Sequence, residues 1–178
     1  MTMGRPTGAR DQATPRFVRA VADGLRQRLP QELRSFTFTG RSRLGQFAYG
    51  IKGLHYEVWL HDTTGHLEIG FHMEADPATN AALYDFLEDA LPWLKAQLGP
   101  SIELERWDRG WCRLYRTLPL TDLSPELQDE TCDCLVALIL AVQPLCAEWA
   151  ADQPPSPTLE SQSRTALGVA APRARQTS

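Results

Sequence analysis

The stretch 54–76, LHYEVWLHDTTGHLEIGFHMEAD, is the most strongly patterned part of the chain and decides the fold. In both of its halves apolar residues alternate with polar ones, and this period of two is typical of half-buried β-strands. The segment DTTG at 62–65 joins the halves and has the composition of a turn, in which Gly65 can adopt a positive φ. The stretch therefore predicts an antiparallel β-hairpin.

The register of this hairpin follows from its apolar residues. When His61 is paired with His66, the apolar side chains of both strands fall on one face, whereas a shift by one residue would separate them. The predicted pairs are His55–His72, Tyr56–Phe71, Val58–Ile69, Leu60–Leu67 and His61–His66. The opposite face then carries all the histidines of the chain together with Glu57, Glu68 and Glu74. His61 and His66 flank the turn, and we expect both to be exposed.

The polar face of the hairpin contains a candidate metal site. Directly opposed side chains in an antiparallel pair have Cβ atoms about 5 Å apart, so His55 and His72 lie close enough to share an ion. Glu57 or Glu74 would supply a carboxylate, and at least three such ligands are needed to hold a divalent metal. The alternative, which we favour, is that these are polar side chains on the solvated face of a sheet and that the protein has no cofactor.

The remaining elements follow from helix caps, prolines and periodicity. Three cap-plus-proline pairs, at 14–15, 76–77 and 124–125, predict the starts of three helices. The second helix is expected to break near Leu91, because Pro92 removes a backbone hydrogen bond and clashes with the preceding turn. Two shorter strands precede the hairpin, and they are predicted at 36–39 and, less regularly, at 44–51.

A second hairpin is predicted around the loop DRG at 108–110, with strands at 101–107 and 111–117. A three-residue loop that ends in glycine fits a hairpin with a bulge. It sets Glu105 opposite Arg113, whereas a two-residue loop would set Arg106 against Arg113 and lose the pairing of opposite charges. The other predicted pairs are Glu103–Tyr115, Leu104–Leu114 and Trp107–Trp111.

These elements predict an α+β fold with the order α-β-β-β-β-α-β-β-α. We expect an antiparallel sheet of about five strands, one early strand being the least regular, with helices packed on its apolar face. The folded domain is predicted to span residues 14–150. An N-terminal arm at 1–13 and a Pro-, Ser- and Ala-rich tail at 151–178 flank it, and both are expected to be disordered.

Composition restricts the class of protein. A hydrophobic content of 43% and a charged content of 22% are ordinary for a globular domain. No uninterrupted apolar run approaches the roughly 18 residues of a membrane span. The start of the chain lacks the apolar core of a secretory signal, and the four cysteines lack zinc-site spacing. We therefore expect a cytoplasmic protein with reduced thiols and no membrane association.

Charge is distributed unevenly along the chain. Residues 1–53 carry ten basic side chains against three acidic ones, whereas residues 54–151 carry five basic side chains against seventeen acidic ones. Such asymmetry is found in proteins that bind nucleic acid through a basic arm. The basic segment lacks the interleaved aromatic residues that single-strand binding needs, so we rank nucleic acid below protein as a partner.

Two resemblances bear on the fold and the function. The stretch NAALYDFLEDALPWLKAQLGPSIELERWDRGWCRLYR resembles a prokaryotic α/β domain family found in restriction and defence proteins, with a helix ending near LG, an acidic strand and a basic return strand. The likeness covers about residues 54–150, and because that family has no assigned catalytic residues it implies none here. The order of elements is also similar to that of type III secretion chaperones, which implies binding of other proteins through the sheet or the helices.

Aromatic and basic residues share the polar face with the histidines. Tryptophan, tyrosine and arginine are the side chains that most often anchor protein interfaces. The binding residues we expect are Trp59, Trp107, Trp111, Arg113 and Tyr115. The predicted function is a non-enzymatic interaction module, adaptor-like or chaperone-like, that binds another protein or a second copy of itself as a homodimer.

The alternative function is that of a metal-dependent hydrolase or nuclease. It would use the set His55, His72, Glu57 and Glu74. A nuclease of the restriction type also needs a lysine shortly after its acidic residues. Lys52 and Lys95 are the only lysines of the chain, and neither has that place. We therefore rank enzymatic activity below protein binding.

Overall fold

The computed structural model describes residues 7–152 of the 178-residue chain, with side chains from residue 12 onwards. It confirms the α+β class and has six strands, against about five expected. In chain order the elements are α1 (Thr7–Arg28), β1 (Thr37–Arg41), β2 (Leu44–Ala48), β3 (Leu54–His61), β4 (His66–Met73), α2 (Pro77–Asp89), α3 (Leu91–Leu98), β5 (Glu103–Arg106), β6 (Cys112–Pro119) and α4 (Pro125–Asp152). Short 3-10 helices lie at Gln31–Leu33 and Asp108–Gly110.

All six strands form one antiparallel sheet in the order β1-β2-β3-β4-β6-β5. The predicted register of β3 and β4 is confirmed. The pairs are His55–His72, Tyr56–Phe71, Val58–Ile69, Leu60–Leu67 and His61–His66. Every apolar member of these pairs is buried. Because side chains alternate along a strand, this register places the polar residues of both strands together on the opposite face.

The second hairpin also has the predicted three-residue loop. Its pairs include Glu103–Tyr115, Leu104–Leu114 and Glu105–Arg113. The amide of Trp107 donates to the carbonyl oxygen of Trp111 at 2.6 Å, which closes the loop. Gly110 has a φ of 73°, the left-handed conformation expected of the glycine that ends such a loop.

The four helices pack on the apolar face of the sheet. Helix α4 lies against β4 and α1, and its residues Leu135, Ile139 and Val142 are fully buried. Burying a leucine or isoleucine side chain contributes about 1.5–3 kcal/mol, so this stripe is a main source of the layer's stability. Helix α1 covers β1 and β2, while α2 lies near β5 and β6.

The irregular second strand reflects close packing of α1. Gly45 on β2 faces α1, and a Cβ atom there would lie 2.6 Å from Val18 Cγ1. Only glycine allows this approach, so the residue that weakened the strand prediction is the one that lets the helix contact the sheet.

Helix α1 begins earlier than the sequence indicates. It spans Thr7–Arg28 and contains Pro15, which the prediction placed at its first position. Proline at this point removes one backbone hydrogen bond, and the preceding segment 9–13, ARDQA, contains good helix formers. That segment had been assigned to a disordered arm. Residues 1–6 of the arm and residues 153–178 of the predicted tail lie outside the described residues.

The second helical segment is broken as predicted. Helix α2 ends at Asp89 and α3 begins at Leu91, next to Pro92. Asp76 caps α2 as expected, because its carboxylate accepts from the backbone amide of Thr79 at 3.0 Å. The proline therefore divides one apolar stripe between two helices.

Asn80 connects the start of α2 to the second hairpin. It is fully buried. Its side-chain oxygen accepts from the amide of Ala75 at 3.0 Å, and its nitrogen donates to the carbonyl oxygens of Ala75 and Gly110 at 3.0 and 2.9 Å. These bonds satisfy buried backbone groups on two separate segments.

Helix α4 is long and apolar enough to cross a membrane by length and composition alone. Its most apolar 18-residue window has a mean hydropathy of 1.8, and 39% of that window is buried. Scattered polar residues interrupt the window, which is why the sequence contains no uninterrupted apolar run of this length. The core helix of a soluble protein meets the same criteria, so the finding is weak evidence.

Candidate functional site

The polar face of the sheet is the candidate functional site. In the part of the chain that the structure describes, no helix packs on this face. We favoured a polar face that is open to solvent, but the structure shows that the residues at the centre of this face are buried. The buried polar residues are His55, Glu57, Glu68 and His72, with exposed fractions of 9%, 4%, 3% and 1%. They are buried because large side chains of the sheet itself, including Trp107 and Arg113, lie against them.

One arm of a buried polar network begins at Gln46 on β2. Its side-chain nitrogen lies 3.0 Å from Glu57 Oε2 and 3.0 Å from His55 Nε2. His55 Nε2 also lies 3.2 Å from Glu57 Oε2. The other carboxylate oxygen, Glu57 Oε1, lies 3.9 Å from His72 Nε2. Glu57 is thus held by an amide and two imidazoles.

The second arm runs from His72 through Glu68 to Arg113. His72 Nε2 lies 3.1 Å from Glu68 Oε1, and Arg113 donates to Glu68 Oε2 at 2.8 Å. Arg113 also donates through two nitrogens to Glu105 Oε2, at 3.0 and 2.8 Å. Opposite charges alternate along this arm, which compensates for the loss of water around buried ions.

Burial and neighbouring charges act in opposite directions on the pKa values of this arm. Burial lowers the pKa of His72, but contacts with Glu68 and Glu74 and the charge of Glu57 outweigh burial and raise this pKa to about 9. Burial raises the pKa of Glu68, whereas His72 and Arg113 outweigh it and hold the pKa below its usual value. The two residues therefore form an imidazolium–carboxylate pair at neutral pH.

Three of the four predicted metal ligands lie together. One donor atom from each of His55, His72 and Glu74 lies within 4.8 Å of the other two. The imidazole rings of the two histidines are stacked with centroids 5.6 Å apart, and His72 Nδ1 lies 3.6 Å from Glu74 Oε1. The fourth predicted ligand, Glu57, instead contacts the Nε2 atoms of the histidines.

His61, His66 and Glu68 form a second set of three donors within 4.8 Å of one another. We expected both histidines to be exposed, and the structure corrects this, since both are partly buried. Their rings are stacked with centroids 4.4 Å apart, and the Trp59 ring lies 4.0 Å from that of His61. Burial and then the neighbouring His66 lower the pKa of His61, which is neutral at pH 7 as a result.

The predicted binding residues form one continuous group, which we call the aromatic–arginine patch. Its members are Trp59, Trp107, Trp111, Arg113 and Tyr115, and all are partly exposed. The Trp107 ring centroid lies 6.5 Å from that of Trp59 and 6.3 Å from that of Trp111. The Arg113 guanidinium lies 4.7 Å from the Trp107 centroid and 4.1 Å from the Tyr115 centroid. The patch thus crosses the sheet from β3 to the second hairpin.

Two residues that the sequence analysis did not single out complete the site. Gln46 lies opposite Glu57 in the register of β2 and β3, and its alternation within the irregular second strand was the only signal for it. Gly70 lies beside Tyr115, and a Cβ atom there would lie 3.1 Å from both His72 Nε2 and Tyr115 Cβ. Glycine therefore leaves the space that the imidazole occupies.

The cysteines play no part in this site. Three of them are buried and Cys134 is partly buried, and all are free. Burial raises the pKa of each of the four thiols, that of Cys132 to about 11 and that of Cys146 to about 12. A thiol with a raised pKa stays protonated at neutral pH and is a weak nucleophile. None of the four is therefore activated for covalent chemistry.

Comparison with known proteins identifies no relative, since no family model, curated protein or solved structure matches the chain. The resemblances to defence-associated domains and to secretion chaperones therefore stay predictions from the sequence. Because a fold does not by itself specify a function, the function has to be inferred from the polar face.

Proposed function

We propose that the protein is a non-enzymatic binding module whose contact surface for another protein is the aromatic–arginine patch. The observation that carries this proposal is the position of the patch on the one sheet face that no helix covers in the described chain. Tryptophan, tyrosine and arginine supply most of the binding energy at protein interfaces. Single apolar residues are ordinary on a protein surface, whereas a continuous group of them marks an interaction site.

The patch is ordered before any partner binds. Arg113 is held by its bonds to Glu68 and Glu105, and it lies against the rings of Trp107 and Tyr115. Arg113 and Tyr115 stand on β6, and Trp107 follows the end of β5, where its amide bonds to the carbonyl oxygen of Trp111. Side chains that are already ordered lose little conformational entropy on binding, so more of their contact energy contributes to affinity.

Charge around the patch favours a partner segment that carries basic and apolar side chains. Glu103 and Asp108 are exposed at its rim, where Arg109 offsets the charge of Asp108, and Arg113 is already paired with carboxylates. Complementary charge steers association and selects among partners. The same carboxylates weaken any binding of nucleic acid to this face, because affinity for nucleic acid depends on cations that contact phosphates. A cytoplasmic adaptor or chaperone-like role fits this chemistry.

Self-association is the first form of the proposal to test. Sedimentation velocity of the tag-free full chain, up to high micromolar concentration, measures whether a dimer forms. Trp111→Ala should dissociate such a dimer, and Trp93→Ala is the matched control. Trp93 is 48% exposed but lies on α3 in the helical layer. If both variants dissociate the dimer, the dimer does not form through the patch. If the wild type is a monomer, the partner has to be a different protein, which the next experiment tests.

A different protein as partner is tested by photo-crosslinking in the cells that encode the chain. A photoreactive phenylalanine replaces Trp111 or, as the control, Trp93, and mass spectrometry identifies the crosslinked protein. That protein is then purified and titrated with the full chain. We expect Trp111→Ala to weaken binding at least about tenfold and Trp93→Ala less than about twofold. Crosslinks only from position 93, or equal losses of affinity, would refute the proposal.

A further inference from the structure

We propose that His55, His72 and Glu74 form a binding site for a divalent transition-metal ion of the zinc type. They lie on β3 and at the end of β4, and one donor atom of each lies within 4.8 Å of the others. Donors around tetrahedral zinc, with bonds of about 2.1 Å, are about 3.4 Å apart. The set therefore needs to contract by roughly 1 Å, which small side-chain rotations provide.

The observation that points to a ligand is an unpartnered nitrogen of His72. This side chain is 1% exposed, yet its Nδ1 atom has no hydrogen-bond partner. Glu74 Oε1 lies 3.6 Å from it, which is beyond hydrogen-bond distance. Buried polar atoms in native proteins nearly always have a partner. A metal ion that displaces the proton of Nδ1 would supply one, because it would bridge this nitrogen and the Glu74 carboxylate.

A neighbouring carboxylate orients the His72 imidazole as metal sites require. Glu68 Oε1 lies 3.1 Å from His72 Nε2 and accepts the proton of that nitrogen, so a metal that binds at Nδ1 has to displace only the second proton of the imidazolium. His55 Nε2 lies 3.2 Å from Glu57 Oε2, but the side-chain nitrogen of Gln46, which can only donate, lies 3.0 Å from the same atom, so the orienting role is assigned to Glu68 alone. Metal-binding histidines almost always donate their other N–H group to such an acceptor. Glu68 is therefore an orienting residue of this site rather than a ligand.

The second set of donors, His61, His66 and Glu68, is less suited to hold an ion. Glu68 Oε2 already accepts from Arg113 at 2.8 Å, so a cation occupies the place that a metal would take. The set therefore serves as an internal control.

The donor types select the class of ion. Two imidazoles and one carboxylate suit zinc and related transition metals, whereas Mg²⁺ and Ca²⁺ prefer oxygen ligands alone. Three protein ligands leave a fourth position for water or for a donor from a bound molecule. The hydrolase alternative would also need such a position, but the metal site does not depend on any catalysis or on protein binding by the patch.

The test is a calorimetric titration of the tag-free full chain, freed of metal by chelation, with ZnCl₂. Cobalt(II) absorption provides a second readout, because tetrahedral coordination gives a distinctive visible spectrum. The variants are Glu74→Gln and His55→Gln, with His66→Gln as the matched control from the other set. Far-UV circular dichroism of each metal-free variant checks that it is folded.

We expect one zinc ion per chain with micromolar or tighter affinity. Glu74→Gln and His55→Gln should each weaken binding at least about tenfold, and His66→Gln should change it less than about twofold. Excess Mg²⁺ should not compete. Failure of the wild type to bind zinc, binding that survives both ligand variants, or loss of binding in His66→Gln alone would overturn the proposal.

Discussion

Raising the pH should destabilise the metal-free protein, and His72 determines by how much. Burial lowers the pKa of this side chain, but Glu68, Glu74 and Glu57 outweigh burial and raise it from 6.5 to about 9. The folded protein therefore binds this proton more tightly than the unfolded chain does. Each pKa unit corresponds to about 1.4 kcal/mol, so the difference amounts to about 3 kcal/mol of stability.

The sign of the effect follows from proton linkage. Below pH 6.5 the imidazole is protonated in both states, and the full contribution of His72 to stability is present. Between pH 6.5 and about 9 the unfolded chain has lost the proton that the folded protein keeps, so the free energy of unfolding falls as the pH rises. Above about 9 the contribution is lost.

Other titrating groups act mainly outside this interval. Burial and His66 lower the pKa of His61 below 6.5, so its opposite effect is complete before the interval begins. The thiols of Cys132 and Cys146, with pKa values raised from 9 to about 11 and about 12, contribute above the interval. The slope between pH 6.5 and about 9 is therefore assigned mainly to His72.

Urea unfolding followed by tryptophan fluorescence, with a chelator present, measures this dependence at several pH values from about 6 to 9. The matched variant is His72→Gln, which keeps a polar side chain but cannot titrate. We expect it to remove most of the slope even if its absolute stability is lower. A flat profile for the wild type, or an equal slope in the variant, would refute the assignment.

Three further predictions concern the packing of the polar face and of the second hairpin. Arg113→Ala removes one of the two cations that pair with the buried carboxylate of Glu68, leaving His72, and should cost about 1.5–3 kcal/mol. Arg106→Ala breaks an exposed ion pair and should cost less than about 1 kcal/mol. Urea unfolding compares the two variants, and similar costs would contradict the role of burial. Gly70→Ala should cost about 1–3 kcal/mol, because its Cβ atom would crowd the imidazole of His72. If the variant melts at the same temperature as the wild type, the space at Gly70 is not needed. Asn80→Ala should cost about 1–3 kcal/mol by leaving buried backbone groups unpaired, with faster hydrogen exchange in the loop at 108–110, and unchanged exchange there would disprove the connection.

The fold could be predicted in large part because its hairpins carry local information. A shift of one residue in the first hairpin would expose apolar side chains, and the opposite charges of Glu105 and Arg113 distinguish two loop lengths in the second. Pro92 marked the break between α2 and α3 for an equally local reason. The start of α1 was missed because a cap-plus-proline signal at Pro15 is also compatible with a proline inside a longer helix.

The burial and pairing of the site residues were harder to predict from the sequence than which residues share the site. Alternation shows that His55 and His72 share a face, but it does not show what covers them. Their burial depends on Trp107 and Arg113. Both belong to the second hairpin, and the register of the first hairpin does not specify where the second one lies. The link between Arg113 and Glu68 also requires β6, rather than β5, to lie beside β4. Such facts arise from the order of strands in the sheet, which local patterns leave open.

The order of strands also affects the order in which the parts of the molecule fold. Except where β4 meets β6, all neighbouring strands are consecutive in the chain, so the sheet closes only short loops as it forms. The contact between α1 and α4 is far less local, since the Cys132 thiol and the carbonyl oxygen of Val21 are 111 positions apart. Helix α1 is therefore expected to dock on α4 late in folding. The polar face lies on the other side of the sheet, so its arrangement can form before that helix docks.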